Sequence, residues 1–219
     1  MKVLIISDVH ANRPALNAVL ANVPSYDLII HSGDILGYGP YPNDVVERFK
    51  ELNVISITGN HDRAVLSSNF DFPEIPTEIV YWTRDQLTDS NRKYLEQLPL
   101  EKSIEIDQTS VQLVHGSPQD PDEYVYPDDI SSDLVVDEDI LVYGHTHYPI
   151  IVSIDGCLVL NPGSVGQPRD GDLRGSYILY DTESGAVELN RFDYPRKVVT
   201  EKILQSQIPS DATTYFDGS

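Results

Sequence analysis

The stretch that decides the fold is residues 2–12, KVLIISDVHAN. Residues 2–7 are rich in branched apolar side chains, which is typical of a buried strand. The chain turns polar at Asp8, and Pro14 then suits the first turn of a helix. The same order of strand, polar loop and helix is repeated along residues 28–57, which indicates βαβ units around a sheet.

Further strands are predicted along the chain, with a mainly helical stretch between residues 59 and 98. The predicted strands after the first lie at residues 28–31, 54–57, 103–107, 111–115, 140–143, 150–154, 158–161, 176–180 and 186–192. Residues 117–139 are acidic, contain three prolines and show no period, so we expect either a flexible loop or a lid over the functional site. Residues 210–219 are expected to fray.

Length and composition predict one soluble globular domain. The chain has 219 residues, of which 40% are hydrophobic and 23% are charged, so it can bury a sizeable core. Its apolar runs span only a few residues, whereas a bilayer crossing needs about 20. Its start turns polar too soon for a secretory signal, so we expect a cytoplasmic protein with no membrane contact. Cys157 is the only cysteine, and we interpret it as a buried small hydrophobe.

The net charge of −20 arises from 35 acidic and 15 basic residues. The acidic residues are spread along the whole chain, so the surface repels phosphates and we expect no binding to nucleic-acid polymers. A dispersed acidic surface suits a salt-saturated cytoplasm, where self-repulsion is screened within about 3 Å at molar salt. We therefore interpret the protein as halophilic, with an ordinary acidic mesophilic protein as the alternative.

Asp, His and Asn side chains cluster directly after the predicted strands. Because ligands bind outside the carboxyl ends of the strands in open α/β sheets, these side chains are expected to meet at one edge. His31 is the exception among the histidines: it lies inside the second strand and is interpreted as a packed core or edge histidine. The clustered residues are Asp8, His10, Asp34, Asn60, His61, Asp62, His115, His145 and His147.

A mixture of imidazole and carboxylate ligands fits Mn, Fe, Co, Ni or Zn better than Ca or Mg, which favour oxygen. A carboxylate has two oxygens and can bridge two ions about 3.5–4 Å apart, the spacing that suits cleavage of phosphate esters. Taken alone, an Asp-x-His pair is more often structural. The Gly-His-Thr-His stretch that holds His145 and His147 is a better signal, because two histidines two residues apart on a loop can face one centre.

The order and spacing of these blocks resemble the calcineurin-like metallophosphoesterase superfamily. The resemblance covers residues 1 to about 165, and residues 33–40 and 161–169 are similar to its small prokaryotic phosphodiesterase branch. It implies an α/β fold, a four-layer αββα sandwich in which helices flank two mixed β-sheets. It also implies that residues 1–219 form a single metallophosphoesterase domain.

The resemblance also implies a role for each clustered residue. A hydroxide between two metal ions would attack phosphorus, and His61 would protonate the leaving oxygen or stabilise its charge. Manganese is expected first, with iron, zinc, nickel or cobalt as alternatives. One ion would be held by Asp8, His10, Asp34 and His147, and the second by Asp34, Asn60, His115 and His145, with Asp34 as the bridge.

Several nearby residues keep two interpretations each. Asp62 either orients His61 or is an acid of the surface or of a helix start. The candidates for contact with the substrate are Arg13, Tyr38 and Arg169, although Arg13 could equally be a solvated arginine at a helix start. The tyrosines Tyr124 and Tyr126 either stack on a base or pack on the protein.

The expected function is hydrolysis of a small phosphate ester by a phosphodiesterase or phosphomonoesterase, with a nucleotide as one candidate substrate. The alternatives are a protein phosphatase, a dinucleoside-polyphosphate hydrolase and a non-catalytic scaffold of the same fold. A protein phosphatase is disfavoured because Gly37 and Tyr38 stand where protein Ser/Thr phosphatases carry an Asp-Arg pair. A scaffold is disfavoured because no metal ligand is eroded.

Overall fold

The structure, a computed structural model, describes residues 1–218, and their strands form two five-stranded mixed sheets. In both sheets, parallel and antiparallel pairs occur together. The first sheet, from edge to edge, consists of β10 (Ala186–Phe192), β9 (Gly175–Asp181), β1 (Lys2–Ile6), β2 (Leu28–His31) and β3 (Ile55–Ser56). The second sheet consists of β4 (Lys102–Ile106), β5 (Thr109–Leu113), β6 (Ile140–Val142), β8 (Cys157–Pro162) and β7 (Pro149–Ile154).

Helices follow the strands of the first sheet. The Asn12 side chain caps the first helix by accepting a hydrogen bond of 3.1 Å from the Ala15 N–H, and a proline lies in the first turn, as predicted. The helices are α1 (Arg13–Asn22), α2 (Pro42–Glu51), α3 (Asn60–Leu66), α4 (Glu74–Gln86), α5 (Asp89–Leu95), α6 (Arg196–Leu204) and α7 (Thr214–Asp217). The prediction of two mixed sheets flanked by helices is thereby confirmed.

Strand β1 is buried on both faces because its side chains alternate between two cores. Val3 and Ile5 point between the sheets, where they join residues such as Leu113 and Val142 of the second sheet. The intervening side chains of β1 pack with apolar residues of the helices. This double burial explains why residues 3–6 are all apolar.

The outer face of the second sheet is covered by residues 117–139. This segment forms two short 3-10 turns, and it buries Val125 and Leu134 against Tyr143 and Cys157. The burial of Cys157 confirms its interpretation as a small hydrophobe. The segment is thus a packed layer of the fold, and a lid function for it stays a prediction.

The C-terminal segment differs from the expectation of a frayed tail. Residues 210–217 form a 3-10 turn followed by α7, and Ala212 and Phe216 are buried in the core on the helical side of the first sheet. Burial of a Phe side chain contributes about 1.5–3 kcal/mol, which offsets part of the entropy of ordering this segment. Residue 219 lies outside the described residues.

A search of residues 1–218 finds no helix with the length and apolar character that a membrane crossing requires.

Candidate metal centre

The parallel strands β1 and β2 bring two of the polar loops side by side. Ile6, the last residue of β1, stands opposite His31, the last residue of β2. Beyond the strands, the two loops remain joined, because the Asp8 N–H donates to the Gly33 carbonyl at 3.1 Å and the His10 N–H donates to the Asp34 carbonyl at 3.0 Å. Asp8, His10 and Asp34 are therefore fixed at one edge of the first sheet.

The second sheet delivers its histidines in the same way. Strands β5, β6 and β8 are parallel neighbours, and the Gly144 N–H donates to the His115 carbonyl at 3.0 Å just beyond them. The Asn161 side-chain amide donates to the Gly144 carbonyl at 2.9 Å. The Ser164 hydroxyl donates to the Asp8 carbonyl at 2.7 Å and so joins the loops of the two sheets.

One group of candidate ligands consists of Asp8, His10 and His147, all of them buried. The Nε2 atoms of His10 and His147 are 3.0 Å apart, and His147 Nε2 is 3.3 Å from Asp8 Oδ1. Asp34 Oδ2 stands 3.8 Å from His10 Nε2. These donor atoms surround a volume that a single cation can occupy.

A second group consists of Asp34, Asn60, His115 and His145. His115 Nε2 lies 3.4 Å from Asp34 Oδ2, 3.1 Å from Asn60 Oδ1 and 3.1 Å from His145 Nδ1. Asp34 Oδ2 thus approaches imidazoles of both groups, as a bridging carboxylate must. The structure brings together all seven residues that the sequence singled out as metal ligands.

Hydrogen bonds behind the centre fix the orientation of three histidines. The Nδ1 atoms of His10 and His115 lie 3.0 Å and 2.8 Å from the carbonyls of Leu36 and Ser32, respectively, and that of His147 lies 2.5 Å from the Gln167 carbonyl. A carbonyl can only accept, so each Nδ1 carries a proton. The Nε2 lone pair of the neutral ring then faces the centre, which is the arrangement of a metal-bound histidine.

Five of the seven candidate ligands have a backbone in the left-handed region. Their φ angles are 52° for Asp8, 51° for His10, 63° for Asp34, 66° for His145 and 63° for His147. Such conformations are uncommon outside glycine and cluster at functional sites, because the surrounding structure must hold them. The loops turn sharply here so that neighbouring side chains can face one point.

The histidines of the centre differ in protonation because burial and the charge of Asp34 act in opposite directions. Burial lowers the pKa of His10 and of His147, and it lowers the pKa of His145 to about 3. Burial also opposes the charged form of His115, but the Asp34 carboxylate outweighs it and raises the pKa of His115 to about 9. Binding of a metal through His115 Nε2 must therefore release a proton near neutral pH.

The residues present fit a pair of divalent ions. Asp8 Oδ1, an atom of the first group, is buried with no hydrogen-bond partner among residues 1–218, although buried polar atoms are normally satisfied. Burial alone would raise the pKa of Asp8, but the charges of His147 and His115 hold it below the usual range. A carboxylate kept ionised beside neutral imidazole lone pairs is a donor set for Mn, Fe, Co, Ni or Zn.

His61 lies beside the two groups, and its ring is close enough to His10 and Asp34 to form a third cluster of potential metal ligands with them. Its backbone N–H donates to Asp34 Oδ1 at 2.9 Å, which places the ring next to the bridging carboxylate. The ring is buried and lies 4.7 Å, between centroids, from the rings of Tyr38 and Phe72. Burial lowers the pKa of His61 to about 4, against the opposing charge of Asp34, so the ring is neutral at neutral pH.

Asp62 is buried and holds the loop that carries Asp34. Its Oδ2 accepts hydrogen bonds from the N–H groups of Gly59, Asp34 and Ile35 at 3.0, 3.0 and 3.2 Å, and its Oδ1 accepts one from Leu36 at 2.8 Å. Burial and the charge of Asp34 raise the pKa of Asp62 to about 7, with the backbone donors acting against them. Asp62 is therefore an acid of a helix start, because it lies in the first turn of α3 and accepts from Gly59, which precedes that helix. It is not a surface acid, and these contacts do not place it as a partner of His61.

Two of the three candidate substrate contacts lie at the centre. Arg169 donates a hydrogen bond of 3.0 Å to the Tyr38 hydroxyl, and its charge lowers the pKa of both His61 and His147. The Tyr38 ring is 4.9 Å from the ring of His10. Arg13 differs, because its contacts among residues 1–218 go to Asp44 at the surface, as in the solvated interpretation.

Sequence reasoning named Tyr124 but missed two phenylalanines on the same side of the centre. Phe70 and Phe72 lie in the loop between α3 and α4, and Phe72 packs on His61. Tyr124 covers His145 with ring centroids 3.9 Å apart, whereas Tyr126 lies farther out. No periodicity marks residues 67–73, so only the three-dimensional position of Phe72 reveals its contact with the site.

Comparison with known proteins agrees with this geometry. Residues 1–185 match the calcineurin-like phosphoesterase superfamily domain. Phosphodiesterase YfcE of Escherichia coli is 30% identical over 196 residues, which cover 84% of this chain and 89% of that protein. An uncharacterized protein of Methanocaldococcus jannaschii is 36% identical over an alignment of 228 positions, gaps included, that covers 94% of this chain and 93% of that protein.

The same relationship is found among solved structures. The crystal structure of a metallophosphoesterase from Sphaerobacter thermophilus has a TM-score of 0.86 and 35% sequence identity, covering 99% of this chain and 98% of that chain. The chain is therefore a metal-dependent phosphoesterase and belongs to the calcineurin-like phosphoesterase superfamily.

Proposed function

We propose that the whole chain acts as one metallophosphoesterase domain that hydrolyses small phosphate esters with two divalent ions, manganese first among Mn, Fe, Zn, Ni and Co. The observation that carries this proposal is the position of Asp34 Oδ2, 3.8 Å from His10 Nε2 and 3.4 Å from His115 Nε2. One carboxylate between two ligand groups is what a dinuclear centre requires. When bound, the ions supply the positive charge that holds the phosphate and lowers the pKa of the attacking water.

In this proposal the first ion is held by Asp8, His10, Asp34 and His147, and the second by Asp34, Asn60, His115 and His145. The hydrogen bonds from imidazole Nδ1 atoms to carbonyls orient the rings, so that their Nε2 atoms face the centre. Asp62 positions the Asp34 loop through its three backbone contacts with that loop. The centre is thus formed before substrate arrives, and little reorganisation is needed during the reaction.

His61 assists the leaving group in this proposal. Because its pKa is lowered to about 4, the free enzyme presents a neutral imidazole at pH 7. A neutral ring still has one N–H, which can donate a hydrogen bond to the leaving oxygen as negative charge develops there. The negative charge of a bound phosphate favours the protonated ring, so complete proton transfer is also open to it.

Arg169 and Tyr38 form the substrate rim in this proposal. The guanidinium is held by Tyr38 and by Gln167 Oε1, at 3.0 and 2.8 Å, and its charge reaches His61 and His147. A guanidinium offers several donors in one plane, which suits phosphate oxygens. Arg169 is accordingly expected to bind the phosphate, and Tyr38 to orient it.

The proposal is tested by hydrolysis of bis-p-nitrophenyl phosphate and p-nitrophenyl phosphate in molar KCl, with Mn²⁺ added and with an EDTA-treated control. Metal-dependent release of nitrophenol supports the proposal, and the faster substrate gives the preference between diesters and monoesters. If the protein cleaves neither of these substrates, and also cleaves neither a phosphopeptide nor a dinucleoside polyphosphate, the result favours a non-catalytic scaffold.

Two variants separate metal binding from catalysis. His61→Ala is expected to keep both ions and to lose about 10²–10⁴-fold in kcat, the usual contribution of an acid–base group. Asn60→Ala removes one ligand and is expected to lower the metal content towards one ion per chain. Full turnover of His61→Ala with two ions bound would contradict the role given to His61.

We also infer that the protein works in a cytoplasm of high salt. The support is the net charge of −20, which self-repulsion makes costly at low ionic strength. The midpoint of urea unfolding is expected to rise between 0.1 M and 3 M KCl. A midpoint that does not depend on KCl would remove the halophilic interpretation.

A further inference from the structure

A cavity of about 550 Å³ opens directly beside the metal centre. Two of the candidate metal ligands, Asn60 and His145, form part of its wall, and the loop between α3 and α4 forms another part. The volume lies within the range of about 300–1,000 Å³ that small-molecule sites occupy. A group bound in this cavity is therefore adjacent to a phosphate held at the centre.

The wall of the cavity carries three aromatic rings, those of Phe70, Phe72 and Tyr124. Phe72 packs on His61 at 4.7 Å and Phe70 packs on Phe72 at 5.5 Å. Since His61 is the group proposed to face the leaving oxygen, the cavity begins on the leaving-group side of the phosphate. The part of the substrate that departs with that oxygen would enter it.

The loop with the two phenylalanines is held in place by Arg84 of α4. The guanidinium donates hydrogen bonds to the carbonyls of Ala64 and Val65, in the last turn of α3, at 2.8 and 3.0 Å. It also lies 5.8 Å from the centroid of the Phe70 ring. The aromatic wall is thereby preformed, and a ligand does not have to order it.

The charges around the cavity, those of Arg63, Asp71 and Asp122, disfavour an anionic occupant. The one cationic residue among the described residues that line it is Arg63, and its guanidinium is paired with Asp122 on the opposite segment. A second phosphate would find no free cation there. The side chains of Ser67 and Asn69 at the wall offer hydrogen-bonding groups instead, as the polar edge of a planar heterocycle requires.

We propose that this cavity binds a nucleobase, so that the substrate is a nucleotide whose nucleoside is the leaving group. The inference rests on the proposed function of the same centre. Aromatic side chains stack on bases of any sequence, and each stacked base contributes about 1–3 kcal/mol, which is about five- to 150-fold at 1.4 kcal/mol per factor of ten. An acyl chain would use the apolar wall but leave the polar groups at its edge unused.

The test compares two substrates that share the same leaving oxygen and differ only in the base. The ratio of kcat/KM for adenosine 5′-monophosphate over ribose 5-phosphate is measured with Mn²⁺, or the ratio for their methyl diesters if diesters are preferred. The wild-type ratio is expected to be at least tenfold, and Phe72→Leu and Tyr124→Leu are each expected to lower it towards one. A ratio is used because any disturbance of His61 lowers the turnover of both substrates alike.

Tyr126→Leu is the matched control, since Tyr126 lies on the same segment as Tyr124 and does not line the cavity. It is expected to leave the ratio unchanged. A wild-type ratio near one, or a ratio that neither Phe72→Leu nor Tyr124→Leu alters, overturns the inference while the phosphoesterase activity stands.

A second readout needs no turnover. Saturation-transfer NMR with adenosine is expected to show binding to the wild-type protein and to Tyr126→Leu, with weaker binding to Phe72→Leu. Adenosine binding without any metal-dependent hydrolysis would support the cavity assignment and reject the proposed function. Absence of adenosine binding by the wild-type protein would reject the cavity assignment whatever the hydrolysis assays give.

Discussion

Replacement of Gly59 by alanine is expected to displace the Asp34 carboxylate, which lies between the two groups of candidate metal ligands. Gly59 stands beside the carboxylate that faces both ligand groups: a Cβ atom added to it would lie 2.1 Å from Asp34 Oδ1 and 2.5 Å from the Asp34 backbone nitrogen. Ordinary contacts of a Cβ atom begin at 3.4 Å, so the carboxylate would have to move by more than 1 Å. Metal–ligand distances tolerate only about 0.2 Å, so such a shift removes the bridge.

The expected result of Gly59→Ala is a metal content below one ion per chain after dialysis and a loss of phosphoesterase activity. Overpacking costs about 1–3 kcal/mol in a well-packed site, which corresponds to a fall of about 2–12 °C in Tm for a chain of this length. The fold should therefore persist, and near-ultraviolet circular dichroism can confirm it. The assays are metal analysis by mass spectrometry and kcat/KM for bis-p-nitrophenyl phosphate.

Gly156→Ala provides the matched control for Gly59→Ala. Gly156 has φ +94°, so alanine there strains the backbone, but its Cβ would meet no atom within 4 Å. The φ of Gly59 is −99°, which any residue adopts, so its substitution is purely a steric change. If Gly59→Ala bound two ions and kept more than half of the wild-type activity, the inferred bridging position of Asp34 would be refuted.

Asp62→Ala is expected to weaken metal binding by about 10–100-fold, because the Asp34 loop loses its hydrogen-bond acceptor; a metal titration by calorimetry checks this. His31 is buried beside Ser56, and burial lowers its pKa from 6.5 to about 3. Between these pH values the unfolded state binds more protons than the folded state, so the free energy of unfolding decreases as pH falls through this window. The free energy of unfolding, measured with urea in EDTA, should accordingly fall less steeply between pH 6.5 and pH 5 for His31→Gln than for the wild-type protein. The two slopes should differ by up to about 1.4 kcal/mol per pH unit. Phe216→Ala should lower the free energy of unfolding by about 3–5 kcal/mol, whereas Leu204→Ala, at a side chain 64% exposed, should change it by less than about 1 kcal/mol.

The clustering of the candidate ligands could be predicted from the sequence because each of them follows a strand, whereas their assignment to two ions came from the family resemblance and stays a proposal. Parallel strands must end at a common edge, so Asp8 after β1 and Asp34 after β2 had to be neighbours. Histidines are scarce in this chain, and their presence in the same loops indicated metal chemistry. His31 could be distinguished from the clustered histidines because it lies inside its strand. In the structure it is buried, with a hydrogen bond of 2.8 Å between its Nδ1 atom and the Ser56 hydroxyl.

The parts that could not be predicted depend on contacts between segments far apart in the sequence. Arg63 pairs with Asp122, and Tyr215 packs on Tyr38 at 4.6 Å; neither pair leaves a local pattern. The role of Asp62 depends on backbone N–H groups, which every residue has, and so has no signature in side-chain type. The same holds for residues 117–139, whose few buried apolar side chains follow no period.

The left-handed conformations of the ligand residues have a consequence for how this chain can change over generations. Five of the seven ligands hold a backbone state that costs of the order of 1–3 kcal/mol for a residue with a side chain. Without ions, no metal–ligand bond compensates for that energy. Substitutions that release these loops would therefore raise the stability of the metal-free protein while abolishing the centre. Substitutions that abolish activity can therefore stabilise the metal-free fold, and only continued selection for catalysis preserves the conformations of these loops.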